Sequence, residues 1–504
     1  MRQLKTTRWD YIAVCAVALA ACVAGLPNQF VVDDVSLIEQ NDRAHALETL
    51  YQAFGQPYWP PPFAPQLYRP IASALLALQY VIGAGSPLIF RIVSYALYAG
   101  VAASVLSLGR RMLPRPAAFA AALLFAAHPV HVEATALGVN QGELLVGGIA
   151  VLMTTLYIDG RSRGVLTLRS WIALGFLYAV ACLTKENGFI IPGLLIAAEL
   201  TVVPHLVSAP TPWRRLWIGF VGLALVAAVV GALRFAVLGG FAGAVPADAL
   251  TGVDATGRTL TMLSVVPTWL RLLSWPRHLQ ADYSPNEIVA ASSFGSREFA
   301  GLAILVLAAA AAWFARKRAP TITFGILWIA IALFPVSNLL VPTGVLVAER
   351  TLFLPSVGIA LVFGGVCWEL WQRFSQTRFG RESLGLALSV LIIFAVVRSA
   401  SRQTVWRNAH RLALVTAADA PKSLRVQQAH REAVQDLIAD YERRIAVAPQ
   451  PWRVRNELAG LLEYMREDSL ASVHLRLSLL ENPSQPEVAA ELSRIDSERK
   501  ARSP

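Results

Sequence analysis

Long apolar runs separated by short basic segments constrain this chain more than any other feature of its sequence. Leu216–Leu233, Gly301–Phe314 and Leu384–Val397 hold almost no charged residue. A bilayer core is about 30 Å thick, and a helix needs about 20 residues to cross it. Charged residues make up 15% of the 504 residues, against about 25% in a soluble protein. The sequence therefore predicts an all-α, polytopic membrane protein and argues against a large soluble helical core.

The net charge and the positions of the cysteines narrow the class of protein further. The net charge of +11 comes from arginines that cluster between the apolar runs, so it indicates membrane topology and not nucleic-acid binding. The first run, Tyr11–Leu26, follows a basic leader as a signal peptide would. No convincing cleavage site precedes Asn28, and many spans follow, so we expect a retained first span. Four cysteines in apolar segments lack metal-ligand spacing: Cys15, Cys22, Cys182 and Cys367.

The basic segments predict the topology, because such segments accumulate in the cytoplasm. They are Met1–Arg8, Arg110–Arg115, Arg161–Arg163, Arg214–Arg215, Arg316–Arg318 and Arg373–Arg381. An even number of crossings must separate each from the next, which requires Tyr68–Gly83 to lie on the outer surface as a juxtamembrane helix. Eleven crossings result, with the amino terminus inside and the carboxyl terminus outside: 11–26, 87–108, 116–130, 142–158, 171–184, 188–203, 214–235, 298–315, 319–338, 351–371 and 383–400.

This topology divides the chain into a transmembrane domain over residues 1–400 and an outer tail over residues 401–504. Residues 27–86 form a first periplasmic loop with juxtamembrane helices, and residues 239–297 form a second. Nearly every polar group that could perform chemistry then falls on the outer side, although only apolar runs and basic clusters were used to assign it. We expect a multi-pass inner-membrane protein whose active site and carboxyl terminus are periplasmic.

Asp33 and Asp34 follow the first span directly. Two adjacent carboxylates repel each other, so one pKa should rise, and a carboxyl group with a raised pKa can act as a general base toward a hydroxyl. For a bare pair of aspartates, a solvated loop or a helix cap is the more common explanation. The other polar groups on the outer side favour the catalytic interpretation.

A second polar group ends the third span, in His128-Pro-Val-His131-Val-Glu133. Two histidines with a glutamate are compatible with a metal site, but the spacing is too short for an i, i+4 pair and Pro129 intervenes. Hydrogen bonding to a sugar or a lipid phosphate is favoured over metal binding. Capping and interfacial packing remain the alternative.

Two further ionisable groups stand at predicted span ends. Lys185 and Glu186 lie between two spans, where they could bind substrate or form an ion pair that closes the hairpin. Glu349 and Arg350 precede a span at its outer mouth. A guanidinium suits a phosphate, whereas simple snorkelling to the interface is the alternative.

The tail over residues 401–504 has a different sequence pattern from the transmembrane domain, because helical patterns alternate there with prolines. Pro449 and Pro483 stand 34 residues apart, which is the tetratricopeptide period. Between them, Trp452–Tyr464 and Ser469–Leu480 predict a helix pair. At most two repeats are visible, fewer than the three that a self-standing array needs, so we expect the tail to pack on the membrane domain or on a partner.

Taken together, these motifs resemble the transmembrane and tetratricopeptide-repeat family of protein O-mannosyltransferases, within the GT-C superfamily. The matching stretches are Val-Asp-Asp, Tyr-Arg-Pro with Arg69, His-Pro-Val-His-Val-Glu-Ala, Leu-Thr-Lys-Glu-Asn-Gly, Asp-Tyr-Ser and, above all, Ser337–Ser356. The resemblance implies a GT-C fold and a polyprenyl-phosphate-linked sugar, often mannose, as donor. It also implies a catalytic acidic residue in the first outer loop, which corresponds to Asp33 and Asp34. Family members usually carry many repeats, so the short tail leaves the acceptor open between a protein and an envelope glycan.

The sequence thus predicts an inverting glycosyltransferase in which Asp33 or Asp34 takes the proton of an acceptor hydroxyl. Arg350, with Lys185, would neutralise the departing lipid phosphate, and the other polar residues would contact phosphate or sugar: Arg69, His128, His131, Glu133, Glu186 and Glu349. No cofactor is expected, and a divalent metal is not favoured. A transporter is the less favoured alternative because its site would lie near the midplane. A non-catalytic scaffold built around the tail is the other.

Overall fold

The computed structural model describes residues 8–64, 66–164, 166–207, 213–240, 246–283 and 287–502. Every regular element in these ranges is helical, so the predicted all-α class is confirmed. The α-helices there are α1 Arg8–Cys22, α2 Thr49–Gln52, α3 Pro70–Ile82, α4 Pro87–Met112, α5 Arg115–Ala127, α6 Val132–Ala136, α7 Gln141–Ser162, α8 Leu168–Thr184, α9 Ile191–Thr201, α10 Trp213–Leu238, α11 Ala255–Ser274, α12 Ser296–Ala315, α13 Pro320–Leu333, α14 Phe353–Phe374, α15 Arg378–Gln403, α16 Ala409–Asp419, α17 Leu424–Val447, α18 Pro451–Tyr464, α19 Asp468–Glu481 and α20 Pro486–Arg502.

The predicted polytopic architecture is confirmed by the length of these helices. Among the described residues, eight helical segments are long and apolar enough to cross a membrane, or nine if a pair bent by 44° at His128 counts as one span. The two remaining predicted spans coincide with the shorter apolar helices Leu168–Thr184 and Pro320–Val336. Helix α3 has only 13 residues, short of the roughly 20 that a crossing needs. The chain is therefore a multi-pass helical membrane protein.

The bend at His128 has a local cause. Pro129 lacks a backbone N–H and disfavours helical geometry at the residue before it, so α5 ends at Ala127. His128 Nδ1 then accepts a hydrogen bond from the Val130 amide at 3.3 Å and caps the short turn that follows. The chain re-enters helix at α6 and reaches α7 through a second short turn. This interruption places Glu133, Asn140 and Glu143 in or next to the short turns between α5 and α7, outside a continuous span.

Ion pairs join the opposite ends of the same helices. Arg115, which begins α5, pairs with Asp10 in the first turn of α1 at 2.8 Å. Arg111 lies in the last turn of α4 and Asp159 lies near the end of α7. These two residues pair at 2.7 Å. The basic clusters of residues 110–115 and 161–163 thus share one end of the helical unit, as a common cytoplasmic location requires.

The contacts divide the chain into two compact units. One holds the described residues through Arg407 except Glu287, and the other holds Glu287 and the described residues from Asn408 onward. The second unit consists of helices α16–α20. Pro451–Tyr464 and Asp468–Glu481 form the predicted helix pair, with Ala471 fully buried early in its second helix. Their assignment to tetratricopeptide repeats stays a prediction.

The topology is testable by cysteine accessibility in a variant whose four native cysteines are replaced. Thr343 and Lys317 are exposed and belong to segments that we predict on opposite sides of the membrane. We expect an impermeant maleimide to label Thr343→Cys in spheroplasts, whereas Lys317→Cys should react only after permeabilisation. Labelling of both positions from the same side would contradict the eleven-span topology.

Candidate active site

Four polar segments and three single arginines of the first unit meet at one end of its helices. They are the loop after α1, the turns between α5 and α7, the α8–α9 turn, the start of α14, and single arginines at the ends of α3, α4 and α10. The predictions placed most of these segments on the same side of the membrane from the apolar runs and the basic clusters. Hydrogen bonds and ion pairs now join them directly.

Asp34 is the most deeply held of these residues. Its carboxylate pairs with Arg91 Nη2 at 3.2 Å, and both side chains are 0% exposed. The backbone N–H groups of Gly138 and Val139 donate to its two oxygens, each at 2.9 Å. Burial raises the pKa of the Asp34 carboxyl, and the Arg91 guanidinium and both amides oppose that rise. Asp34 therefore joins the first loop to α4 and to the turn before α7.

Gly138 is what permits this approach. A Cβ at that position would lie 3.1 Å from both Ile38 Cδ1 and Phe90 Cδ1, and 3.5 Å from Asp34 Oδ1. A side chain there would require Ile38 and Phe90 to shift by a few tenths of an ångström. The glycine thus allows the turn to pack closely against these two side chains beside Asp34.

Asp33 differs sharply from its neighbour. It is half-buried, and within the described ranges its carboxylate has no hydrogen-bond or ion-pair partner. It lies close enough to Arg350 to interact with it electrostatically. The preceding residue, Val32, has a φ of 51°, a strained value for a β-branched residue that is typical of functional sites. Only the second carboxylate of the pair is thus committed to holding the fold.

Arg350 is bound by Glu133 from two directions. The Arg350 side chain pairs with one carboxylate oxygen of Glu133, and the Arg350 backbone N–H donates to the other at 2.8 Å. Glu133 is 2% exposed, whereas the Arg350 side chain keeps 26% of its surface exposed. The guanidinium therefore has a fixed position and an accessible face.

The α8–α9 turn supplies a second cation. Lys185 Nζ lies 2.8 Å from Glu143, and the Asn187 side-chain amide donates to the other oxygen of the same carboxylate at 3.1 Å. Burial lowers the pKa of Lys185, and Glu143 opposes that shift. A Cβ at Gly188 would come within 2.5 Å of the Ala181 carbonyl carbon, so glycine is needed for the turn to fold back on α8.

Glu186 forms ion pairs with two arginines. Arg69, just before α3, contacts one of its oxygens through Nε at 3.0 Å and Nη2 at 2.7 Å. Arg234, near the end of α10, contacts the other oxygen at 2.9 Å and also donates to the Gln66 carbonyl at 3.2 Å. These side chains are between 12% and 30% exposed, so the group lies at a partly open surface.

These pairs form one electrostatic unit. Lys185 interacts with Arg69 and Arg350 in addition to Glu143, and Arg350 interacts with both Glu143 and Asp33. We call this unit the cationic cluster, and it consists of Arg69, Lys185, Arg234 and Arg350 with their partners Glu133, Glu143 and Glu186. Four positive charges thus face three paired carboxylates and the neighbouring Asp33.

Three other predicted ligands lie outside this cluster. Glu349 is 1% exposed and accepts hydrogen bonds from the Gln280 amide at 2.6 Å and the Tyr283 hydroxyl at 3.0 Å. His131 is buried between Tyr98 and Ser356, at 2.8 Å and 2.7 Å. His128 Nε2 lies 3.0 Å from the Leu273 carbonyl. Their roles toward a sugar or phosphate stay predictions.

Sequence reasoning missed Arg91, Arg234 and the amides of residues 138 and 139. Both arginines lie inside predicted spans, and an ionisable residue at that depth is itself a functional signal that was available. The amides carry no side-chain signal, so no residue type could have revealed them. Within the described ranges, no three His, Cys, Asp or Glu side chains are arranged to hold a metal ion.

Comparison with known proteins gives relatives of similar sequence. The chain is 26% identical to protein O-mannosyl-transferase TMTC3 of Mus musculus over 76% of its own length and 44% of the relative. It is 26% identical to protein O-mannosyl-transferase TMTC4 of Homo sapiens, over 80% of this chain and 61% of the relative. The chain is also 26% identical to protein O-mannosyl-transferase Tmtc3 of Drosophila melanogaster, over 80% of this chain and 50% of the relative. The chain spans about half the length of the curated relatives it matches.

Solved structures show weaker likenesses. An archaeal oligosaccharyltransferase, AglB from Archaeoglobus fulgidus, solved with an inhibitory peptide and a dolichol-phosphate, gives a TM-score of 0.47 at 15% identity, over 79% of this chain and 56% of that one. The Archaeoglobus fulgidus oligosaccharyltransferase tethered to an acceptor peptide gives a TM-score of 0.49 at 13% identity, over 84% of this chain and 58% of that one. No protein-family model matches the chain.

The sequence relatives confirm the resemblance that the motifs predicted. That likeness extends over 76% to 80% of the chain and so covers far more than the short motifs. The chain is thus similar, along most of its length, to proteins named protein O-mannosyl-transferases.

Proposed function

We propose that the protein is a membrane glycosyltransferase of the GT-C type that transfers a sugar from a polyprenyl phosphate to a hydroxyl group of a protein. Mannose is the sugar that we propose. The reaction takes place at the outer face of the membrane. The similarity to protein O-mannosyl-transferases supports the reaction class. An envelope glycan is the alternative acceptor.

The contrast between the two adjacent aspartates carries the proposal. Asp34 is occupied by Arg91 and two backbone amides, all buried. Asp33 is half-buried, has no partner among the described residues and interacts with Arg350. A general base must be able to reach the proton that it removes. Asp33 is therefore the base, and Asp34 is the positioning residue that holds the loop.

The transfer is a single inverting displacement. The acceptor oxygen forms a bond to the anomeric carbon from the face opposite the phosphate, while the bond from that carbon to the phosphate oxygen breaks. The bonding electrons leave with the polyprenyl phosphate, which gains one negative charge. The proton of the acceptor hydroxyl passes to Asp33, so charge and atoms balance without a further reactant.

The cationic cluster binds the phosphate. Arg350 and Lys185 are each held by one glutamate, and their side chains keep 26% and 13% of their surface exposed, through which they can contact an incoming oxygen. Arg69 and Arg234 extend the positive surface through Glu186. Fixed charges aimed at the position where negative charge develops usually contribute more to catalysis than any other single effect. The cluster is therefore suited to stabilise the departing phosphate.

The first prediction separates the two aspartates. Asp33→Asn keeps size and polarity but removes basicity, so turnover should fall about 10²- to 10⁴-fold while thermal stability stays close to that of the parent. Asp34→Asn leaves buried Arg91 without its counter-charge, a change that costs about 3–5 kcal/mol. It should therefore lower the melting temperature as well as activity. Turnover of polyprenyl-phosphate mannose and thermal unfolding in detergent measure the two effects.

A folded Asp33→Asn variant that retains near-full activity would contradict the assignment of the base. Glu133, Glu143 and Glu186 would then become the candidates. An Asp34→Asn variant as stable as the parent would contradict the positioning role.

The second prediction concerns the phosphate site. Arg350→Ala should weaken donor binding as well as turnover, because a phosphate contact already exists in the ground state. It also leaves buried Glu133 unpaired, which destabilises the protein on its own account. The double variant Glu133→Gln, Arg350→Ala removes both charges and should recover stability without recovering donor affinity. Recovery of donor affinity in the double variant would show that Arg350 acts only through folding.

The third prediction concerns the second unit, which we propose helps to bind the acceptor. Truncation after Arg407 removes this unit at its boundary. The acceptor concentration needed for half-maximal rate should rise, while the affinity for the donor lipid should be unchanged. A stable truncated protein that no longer binds the donor would show that this division of roles is wrong.

A further inference from the structure

An exposed stripe of apolar side chains runs along α15 toward the polar end of the first unit. Its members recur every one to four residues, and each is more than half exposed: Leu386, Val390, Ile393, Phe394 and Val397. Helix α15 is also one of the helices that are long and apolar enough to cross a membrane. Exposed apolar surface on such a helix faces lipid chains. The stripe therefore marks a direction along which an acyl chain can lie.

The stripe ends beside a pair of aromatic rings. Trp275, which follows α11 directly, stacks on Phe394 with ring centres 6.1 Å apart and ring planes 8° apart. Trp275 is 55% exposed and Phe394 is 57% exposed. Tryptophan is enriched where lipid chains meet headgroups, because its ring is apolar and its N–H group is polar. The pair thus places the headgroup layer at the level of Trp275.

Three arginines gather at the same level. Arg271 Nη1 donates to the His278 carbonyl at 2.9 Å, and Arg398 Nη2 donates to the neighbouring Arg277 carbonyl at 3.2 Å. Arg398 stands one helical turn beyond Phe394 on α15. Both Arg271 and Arg277 are exposed. We call these residues the interfacial patch, which consists of Arg271, Trp275, Arg277, Phe394 and Arg398.

The interfacial patch keeps a net positive charge. Within the described residues, neither Arg271 nor Arg277 forms an ion pair with a carboxylate. Asp282 is the one acidic residue of the segment 271–283, so it can offset a single arginine. Glu349, which the same segment contacts, is 1% exposed and points into the protein. Arginines therefore outnumber the carboxylates at this surface.

These arginines are unusual for their place in the chain. Basic residues concentrate on the cytoplasmic side, whereas the predicted topology places residues 239–297 on the outer side. None of the patch residues belongs to the cationic cluster. Guanidinium groups, then an aromatic pair, then an aliphatic stripe follow one another along α15. The phosphate, the glycerol region and the acyl chains of a phospholipid follow one another in the same order.

Charge decides which class of phospholipid fits. Phosphatidylcholine carries a cation beside its phosphate, and that cation is repelled by the arginines. Phosphatidylglycerol carries a net negative charge, and anionic lipids are attracted to arginines near the membrane surface. The surplus of positive charge therefore selects an anionic lipid.

We propose that the interfacial patch binds an anionic phospholipid, whose phosphate contacts Arg271 and Arg277 and whose acyl chains lie on the α15 stripe. The inference goes beyond the proposed transfer reaction and does not depend on it. The lipid would support the segment whose Gln280 amide and Tyr283 hydroxyl hold Glu349, the residue next to Arg350.

Quenching by brominated lipid tests which lipid lies beside Trp275. The full chain is placed in nanodiscs of phosphatidylcholine with a minor share of phosphatidylglycerol. Two preparations of identical composition differ in which lipid carries bromine on its acyl chains: the phosphatidylglycerol, or an equal amount of the phosphatidylcholine. Subtracting the signal of Trp275→Phe isolates the quenching of Trp275. We expect phosphatidylglycerol to be enriched about tenfold beside Trp275, and the enrichment should weaken as salt rises.

Variants then locate the enrichment. The double variant Arg271→Gln, Arg277→Gln should abolish it, because glutamine retains a side-chain donor but carries no charge. Arg297→Gln, at an exposed arginine outside the interfacial patch, is the matched control and should retain it. Equal quenching by the two brominated lipids in the parent would overturn the proposal. Enrichment that survives the double variant, or that is lost in Arg297→Gln, would also overturn it.

Inorganic phosphate distinguishes a lipid site from a site for free phosphate. Because acyl chains on the α15 stripe hold the lipid, millimolar phosphate at constant ionic strength should leave the enrichment unchanged. Displacement of phosphatidylglycerol by inorganic phosphate would show that the arginines bind phosphate without a lipid, and it would overturn the proposal.

Discussion

The buried ion pair between Asp34 and Arg91 is the interaction on which the polar end of the first unit depends. It joins three parts of the chain: the loop after α1, helix α4, and the turn before α7 whose amides complete the shell around Asp34. A buried pair contributes little net stability when complete, but the loss of one partner leaves an uncompensated charge and is strongly destabilising. The pair therefore specifies the position of the loop more than it stabilises the fold. Since Asp33 is the adjacent residue, its position follows from that of Asp34.

The same principle governs the cationic cluster. Each of its four cations is already paired with a glutamate, so the cluster holds its geometry before any anion arrives. Pairing offsets part of the cost of burying charge, and it leaves an exposed face on Arg350 through which a phosphate can bind. Preorganised charges need not reorient during a reaction, which is why such arrangements are effective in catalysis. Under the proposed function, the same side chains hold the structure and bind the phosphate, so substitutions here must be paired to be interpretable.

Some features of the site followed from the sequence because they depend on chain order and hydropathy alone. Of the eleven predicted spans, eight coincide with helices long enough to cross a membrane, one with the helix pair bent at His128 and two with shorter apolar helices. An apolar run long enough to cross a bilayer has little alternative to helix. The grouping of Asp33, Glu133, Lys185 and Arg350 at one end followed from counting crossings. The roles of individual residues did not follow. His128 and His131 look like ligands in sequence, yet they meet Leu273, Tyr98 and Ser356 inside the protein, because Pro129 bends the chain and turns both rings toward neighbouring helices.

The sequence by itself determined that this is a multi-pass helical membrane protein, with its polar motifs gathered beyond the same ends of the helices. Periodicity, run length and charge are local properties, so they can be read without knowing which segments touch. Only the tertiary structure decided that Asp34 is buried and Asp33 is not, because adjacent and chemically identical carboxylates differ solely in their surroundings. The partners that make the difference, Arg91 and the amides of Gly138 and Val139, lie 57 to 105 residues away along the chain. Such contacts arise only when the helices pack, and no pattern along the sequence encodes them.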